Sequence, residues 1–222
     1  MIIGFAGKAG SGKTTAARHL LDNPHLSIRI LAMAAMLREE VEAFLRRVGA
    51  DQQVPLLYGD QQDKVRIFTV DSQQAQAACP RWPEFLHHNE DIQTSQADTA
   101  VSVRRLLQWW GTEYRRAQDA DYWTKAWERK LASFAAAGGE PYDVLVDDVR
   151  FTNELEMLKK HDAFIIRIVR PGFDGANDHS SENSLDAYAD WDLIVHNDGD
   201  LDQFLSAIDA ALLPRLASHA AS

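Results

Sequence analysis

The sequence predicts an α/β fold, a parallel five-stranded sheet flanked by helices, on three observations. Short apolar runs at residues 2–6, 27–31, 143–148, 163–169 and 192–195 read as strands. Stretches with helical spacing separate them, the alternation expected when crossover helices join parallel strands. The run Asp143-Val144-Leu145-Val146-Asp147-Asp148 reads as a buried parallel strand, with an apolar centre on both faces and two carboxylates at its end. The chain has no internal repeat and no linker-like stretch, so its 222 residues read as a single domain.

The elements follow in order. Ile2, Ile3, Phe5 and Ala6 form the first strand, and a glycine-rich turn then leads into a helix over residues 13–21. Asp22-Asn23-Pro24 breaks that helix. Ser27-Ile28-Arg29-Ile30-Leu31 alternates as a short strand. Leu37, Val41, Phe44, Leu45 and Val48 then recur at helical spacing, with Gly49 placed as a C-terminal cap. From about Asp51 to Asp98 the periodicity dissolves among glutamines and Pro55, Pro80 and Pro83. An irregular insertion at about 51–100, partly helical and mobile, is expected there on the substrate side.

Order returns at Ser102, an N-cap for a helix with Val103, Leu106, Leu107 and Trp110 on one face, and a turn is expected at Gly111-Thr112-Glu113. A helix from near Asp121 carries Trp123, Trp127, Leu131 and Phe134 on one face, and Gly138-Gly139 closes it. Trp109, Trp110 and Trp127 are expected in the core. After the central strand, Thr152 is placed to cap a helix reaching Lys160. Pro171-Gly172 stops the next strand, and a polar loop holding His179-Ser180-Ser181-Glu182 follows. The last strand turns at Asn197-Asp198-Gly199 into a helix over residues 201–213.

Composition narrows the function classes. Acidic residues outnumber basic ones by 33 to 23, a net charge of −10, and Lys and Arg form no block. A partner gripped along a polynucleotide backbone would ask for a basic face, so none is expected. A small anionic ligand held by a few placed arginines remains compatible. No apolar stretch approaches the roughly 20 residues that cross a bilayer. The chain starts directly on a core strand, so no leader is expected there and a cytoplasmic location is. The lone Cys79 excludes an internal disulfide and a cysteine-based zinc cluster, and fits a reducing compartment.

The glycine-rich turn carries the chemistry. Gly7, Gly12, Lys13 and Thr14 satisfy G-x-x-x-x-G-K-[ST] between a strand and a helix, the setting a phosphate-binding loop needs. Glycines let the backbone wrap an anion, so N–H groups of residues 7–15 can point at phosphates. Gly7, Gly10, Ser11, Gly12, Lys13, Thr14 and Thr15 are therefore the candidate ATP contacts. Lys13 would bridge the β- and γ-phosphates, and the Thr14 hydroxyl would take one position on Mg²⁺. Asp147 and Asp148 end a central strand, where ligands of such sheets bind, and one of them can hold the metal's water shell or a substrate hydroxyl. Asp147 is the candidate for the metal.

Two further segments single out a family. The first is Arg104-Arg105-Leu106-Leu107-Gln108-Trp109-Trp110-Gly111-Thr112-Glu113-Tyr114-Arg115-Arg116; the second is Val146-Asp147-Asp148-Val149-Arg150-Phe151-Thr152-Asn153-Glu154. With the phosphate loop they resemble the deoxynucleoside monophosphate kinases of bacteriophages, whose stretches run R-x-L-L-Q-x-x-G-T-E-x-x-R and D-D-V-R-x-x-N-E. Arg170-Pro171, residues 179–182 and residues 197–199 are a looser third match. Where that family often carries Phe-Ala-Asp, this chain has Leu31-Ala32-Met33-Ala34, with no polar group.

The resemblance implies a P-loop kinase fold and transfer of phosphate from ATP, with Mg²⁺, to a deoxynucleoside 5′-monophosphate. It implies substrate contacts at Arg104, Gly111, Thr112, Arg116, Asp148, Arg150 and Glu154, and a base-facing Trp123. It also implies a homodimer and, for a viral protein, the host cytoplasm. The charges agree, because two polyanions must be brought together and the arginine fork grips phosphate in a bidentate way. Lys13, Arg150 and Asp148 are thus the candidate catalytic residues, with Arg167 and Arg170 reaching the ATP side. A kinase for another small phosphorylated acceptor, such as dephospho-coenzyme A, and a nucleotide-regulated binding protein stay open as alternatives.

Overall fold

Five parallel strands organise the part of the molecule that carries the glycine-rich loop. The structure, a computed structural model, describes residues 1–138, 141–173 and 184–220. Its contacts divide the chain into two units, Met1–Met33 with Trp127–Ser222, and Ala34–Ala126.

The first unit holds β1 (Ile2–Ala6), α1 (Lys13–Leu21) and β2 (Ile28–Ile30), and α2 (Met33–Arg47) starts at its edge. In the second unit the chain continues through a 3₁₀ segment (Asp51–Leu57), α3 (Gln61–Val65), β3 (Phe68–Asp71), α4 (Ser72–Ala78) and α5 (Trp82–His88). It goes on through β4 (Asp98–Val101), α6 (Val103–Trp109) and a π-helical segment (Trp110–Arg116). With α7 (Tyr122–Ala136) it returns to the first unit, which adds β5 (Asp143–Val149), α8 (Thr152–Lys160), β6 (Phe164–Val169), β7 (Leu193–His196) and α9 (Leu201–Ala220).

The sheet of the first unit runs β2-β5-β1-β6-β7. All its neighbours are parallel, with Ile3 opposite both Leu145 and Phe164. The five strands are those read from the apolar runs. Ile3, Phe5, Leu145, Ile166 and Ile168 are at most 1% exposed, so the central strands are covered on both sides. Ala16, Ala17 and Leu20 of α1 belong to the same core, and the two alanines let that helix lie close to the sheet. Fully burying each large side chain contributes roughly 1.5–3 kcal/mol.

Helix α9 runs past its expected end at Leu213, through Pro214. Phe204, Ile208, Leu212 and Leu216 recur every fourth residue and are all buried, so the apolar stripe carries the helix across the missing N–H. Thr152 corrects the expected cap: it is the first helical residue of α8, and its hydroxyl donates to Ser184 O at 3.4 Å. The capping duty belongs to Glu154, which accepts from the N–H groups of Arg150 and Phe151 at 2.9 and 3.1 Å.

The second unit is more regular than its sequence suggested. Residues 51–101 form short elements rather than an irregular excursion. Asp60 and Asp71 cap α3 and α4 by accepting from Gln62 and Gln74 N–H, each at 2.7 Å. β3 and β4 pair antiparallel, with Phe68 opposite Val101 and Asp71 opposite Asp98. Trp82 and Phe85 stack at 4.4 Å between centroids, and Phe44 lies 5.3 Å from Trp82. Elements of four to seven residues are too short to show a period, which is why the pattern dissolved there. Gly49 takes φ 68° and ends α2 as expected, with Ala50 N–H returning to Leu45 O at 2.8 Å. The turn expected at 111–113 is absent, because α6 passes directly into the π-helical segment.

Candidate active site

The phosphate loop is built by what a side chain would collide with. Gly7 and Gly12 have φ 147° and 112°, a region that costs an L-residue strain. A Cβ on Gly7 would strike the Ile168 carbonyl, and one on Gly12 would lie 2.7 Å from Asn197 Nδ2. The ends of β6 and β7 then tie the loop down: Arg170 donates to Gly10 O at 3.2 Å and Asn197 Nδ2 to Ser11 O at 2.8 Å. Helix α1 opens on Gly12 with no side-chain cap, so its N-terminal turn is left to a ligand or solvent.

Lys13 is 7% exposed, and its ammonium donates to Gly7 O at 2.5 Å and Lys8 O at 2.8 Å. The charge is thus held inside the curl of the loop. Ser11 is buried, and its hydroxyl has no hydrogen-bond partner among the described residues. Thr14 and Thr15 stand exposed on the first turn.

Asp147 and Asp148 end β5 half-buried, as expected for a strand that leaves the core. Asp148 Oδ1 accepts from Met33 N–H at 2.7 Å, which puts a carboxylate at the N-terminus of α2. Arg150 is half-buried beyond them. Glu154, expected at the substrate, is 2% exposed, and its carboxylate holds the strand-to-helix corner that carries Arg150.

Beside the loop lies a small open cleft, lined by Gly7, Lys8, Val149, Arg150, Arg167, Leu185, Asp186 and Trp191. Lys8 donates to Asp186 at 2.8 Å, and Arg167 lies 3.7 Å from the same carboxylate. Arg167 also donates to Leu185 O at 3.2 Å and sits 5.2 Å from the Trp191 ring centroid. Two cations, Lys8 and Arg167, thus face one carboxylate in this cleft, and Arg150 lines it with them. Lys8, Asp186 and Trp191 escaped the sequence reading, since Lys8 fills a free position of the motif and the other two join it only through the fold. His179, in the polar loop after β6, lies outside the described residues.

The second unit carries the other motif. Ser102 caps α6 as expected, accepting from Arg105 N–H at 3.4 Å. Arg104 is half-buried and donates to Gln61 Oε1. Gly111 is buried against Leu37, where a Cβ would come within 3.2 Å. Thr112 and Arg116 are half-buried on the π-helical segment. Trp123 is 3% exposed and donates to Gly111 O at 3.0 Å, so its polar edge serves the segment itself. Trp109, Trp110 and Trp127 are buried as expected. Trp109 Nε1 and Glu113 Oε2 are buried without a partner among the described residues. Cys79 is buried too, and burial pushes its thiol pKa up, which leaves it unreactive.

A phosphate loop on the parallel β2-β5-β1-β6-β7 sheet, with carboxylates and arginines at the strand ends, defines a P-loop phosphotransferase. Residues 53–208 match the deoxynucleotide monophosphate kinase family, most of the chain. The chain belongs to that family. It is 28% identical over 221 residues to an Acanthamoeba polyphaga mimivirus protein named "Putative deoxynucleotide monophosphate kinase", covering 94% of each chain. Identity to the deoxynucleotide monophosphate kinases of Escherichia phage RB69 and Enterobacteria phage T4 is 30% and 33% over 112 residues. Those two matches span 50% of this chain and 45% of each relative. Among the described residues no helix is long and apolar enough to cross a membrane.

Proposed function

We infer that the protein transfers the γ-phosphoryl group of ATP to a deoxynucleoside 5′-monophosphate, giving the diphosphate and ADP. Family membership supports the reaction, and the observation that carries it is the Lys13 ammonium held inside a loop whose helix has no side-chain cap. In this reading residues 7–15 take the ATP phosphates, and Lys13 exchanges its two carbonyl partners for phosphate oxygens.

A phosphate oxygen of the acceptor forms the new P–O bond to the γ-phosphorus, while the bond from that phosphorus to the bridging oxygen breaks and ADP leaves. The attacking oxygen is already anionic, so no strong general base is needed. The work falls on alignment and charge neutralisation. Arg150, from the cleft, neutralises the transferring group. Arg104, Thr112 and Arg116 hold the acceptor, with Gly111 and Trp123 shaping the segment that presents them. Asp148 contacts the acceptor, and Glu154 fixes the corner that carries Arg150.

Mg²⁺ fits this donor set, because it takes one or two protein oxygens and fills the rest of its octahedron with phosphate oxygens and water. The exposed Thr14 hydroxyl and the half-buried Asp147 carboxylate supply such oxygens. When bound, the ion spreads the charge of the β- and γ-phosphates. We read the chain as one kinase domain with a substrate-side insertion at about residues 51–100, working as a homodimer in a host cytoplasm.

ADP release measured with each common deoxynucleoside monophosphate and its ribose counterpart tests the function. Turnover that depends on a deoxynucleotide is expected. ADP release indifferent to every monophosphate would overturn the reading.

A further inference from the structure

Residues 110–116 wind as a π-helix, and the Ala117 N–H reaches back five residues to the Thr112 carbonyl. Such turns are rare, and a disfavoured backbone conformation persists where its surroundings over-determine it. Here the surroundings converge on one carboxylate. Glu40 of α2 accepts at Oε2 from Trp110 Nε1 at 2.8 Å and from Arg115 Nε at 2.7 Å. Arg115 adds a second contact to the same oxygen at 2.7 Å, and Tyr122 OH donates to Oε1 at 2.5 Å. The Arg115 guanidinium also lies over the Tyr114 and Tyr122 rings, 4.4 and 4.8 Å from their centroids. Side-chain exposures of 23% for Arg115 and 25% for Glu40 shield the pair from much of the solvent.

The spacing of the two donors explains the turn. Trp110 and Arg115 are five residues apart. An α-helix advances about 100° per residue, so residues five apart point roughly 140° away from each other. The i→i+5 bonding of a π turn brings them toward one face. A single carboxylate can hold both side chains only if the turn is wide. Charge-assisted hydrogen bonds to a shielded carboxylate are strong enough to favour that choice.

We propose that Glu40 is the positioning residue of the acceptor segment. By clamping Trp110 and Arg115 it enforces the π turn, and so fixes where Thr112 and Arg116 stand relative to Arg104. This rests on the reading that residues 104–116 contact the acceptor monophosphate. Without the clamp the segment relaxes toward an α-helix, and every residue beyond Gly111 rotates about the helix axis relative to α6.

The test compares Glu40→Ala with Glu40→Gln, which keeps the length and one acceptor oxygen. Hydrogen exchange is followed over residues 110–117, together with KM for the deoxynucleotide and for ATP. In Glu40→Ala faster exchange is expected, with KM for the deoxynucleotide raised about tenfold or more and KM for ATP within about twofold. Glu40→Gln should fall between it and the parent, and it carries the test if Glu40→Ala does not fold. Unchanged exchange overturns the clamp. Faster exchange with both KM values unchanged overturns its link to the acceptor and shows a merely structural carboxylate. If the parent enzyme phosphorylates no deoxynucleotide, the proposed function fails, and exchange alone then decides whether Glu40 sets the turn.

Discussion

Lys13 is a charged side chain kept almost out of water by two carbonyl oxygens of its own loop. Carbonyls are neutral acceptors, so they satisfy the ammonium without cancelling its charge. An arriving phosphate meets a cation that is already placed and partly desolvated, the condition under which electrostatic stabilisation is largest. Lys13→Ala should therefore lower kcat by about 100-fold or more while the protein still melts in one cooperative step. Single-turnover ADP formation and a circular dichroism melt check the two halves of that statement. The role of Lys13 was legible in the sequence because its motif is local. The Lys8–Asp186–Arg167 cluster was not, because its members come from the loop, β6 and the segment before β7.

At the scale of elements, the corner between β5 and α8 is held by a single buried carboxylate. Glu154 is buried and accepts the backbone N–H groups of Arg150 and Phe151 at the entry to α8. Glu154→Ala should cost about 1–3 kcal/mol of stability, and Glu154→Gln less, since its amide oxygen can still accept. Urea unfolding of both variants measures the difference, and equal stability of Glu154→Ala and the parent would refute the cap. The strands and the longer helices were legible, since each spans enough residues to display a period or a continuous apolar run. The π turn was not. Gly111 reads as a breaker in sequence, whereas in the fold it gives Leu37 room to approach a continuous helix.

At the scale of the whole molecule, the second unit ties several of its surface carboxylates to cations. In the second unit the Arg46 guanidinium, with the Tyr58 hydroxyl, holds Glu42 below the usual carboxylate range. Arg81 does the same for Glu84, Arg105 for Asp91 and Lys125 for Asp119. A folded-state pKa below the unfolded one means that the unfolded chain binds more protons, so stability rises with pH. The contribution is complete above the ordinary carboxylate pKa of about 4 and is lost as pH falls below it. Exchange protection of residues 34–126 should therefore fall on acidification, and added salt should shrink the effect because these pairs are solvent-accessible. Protection that is independent of pH from about 5 to 3 would contradict it. The sequence by itself determined the sheet, the phosphate loop and the family motifs, because each is written in contiguous residues whose spacing fixes local geometry. Only the tertiary structure decided that Glu154 caps a corner, that Asp186 sits between Lys8 and Arg167, and that Glu40 joins Trp110, Arg115 and Tyr122. Those facts depend on side chains distant along the chain meeting at hydrogen-bond distance, and no local pattern encodes such a meeting.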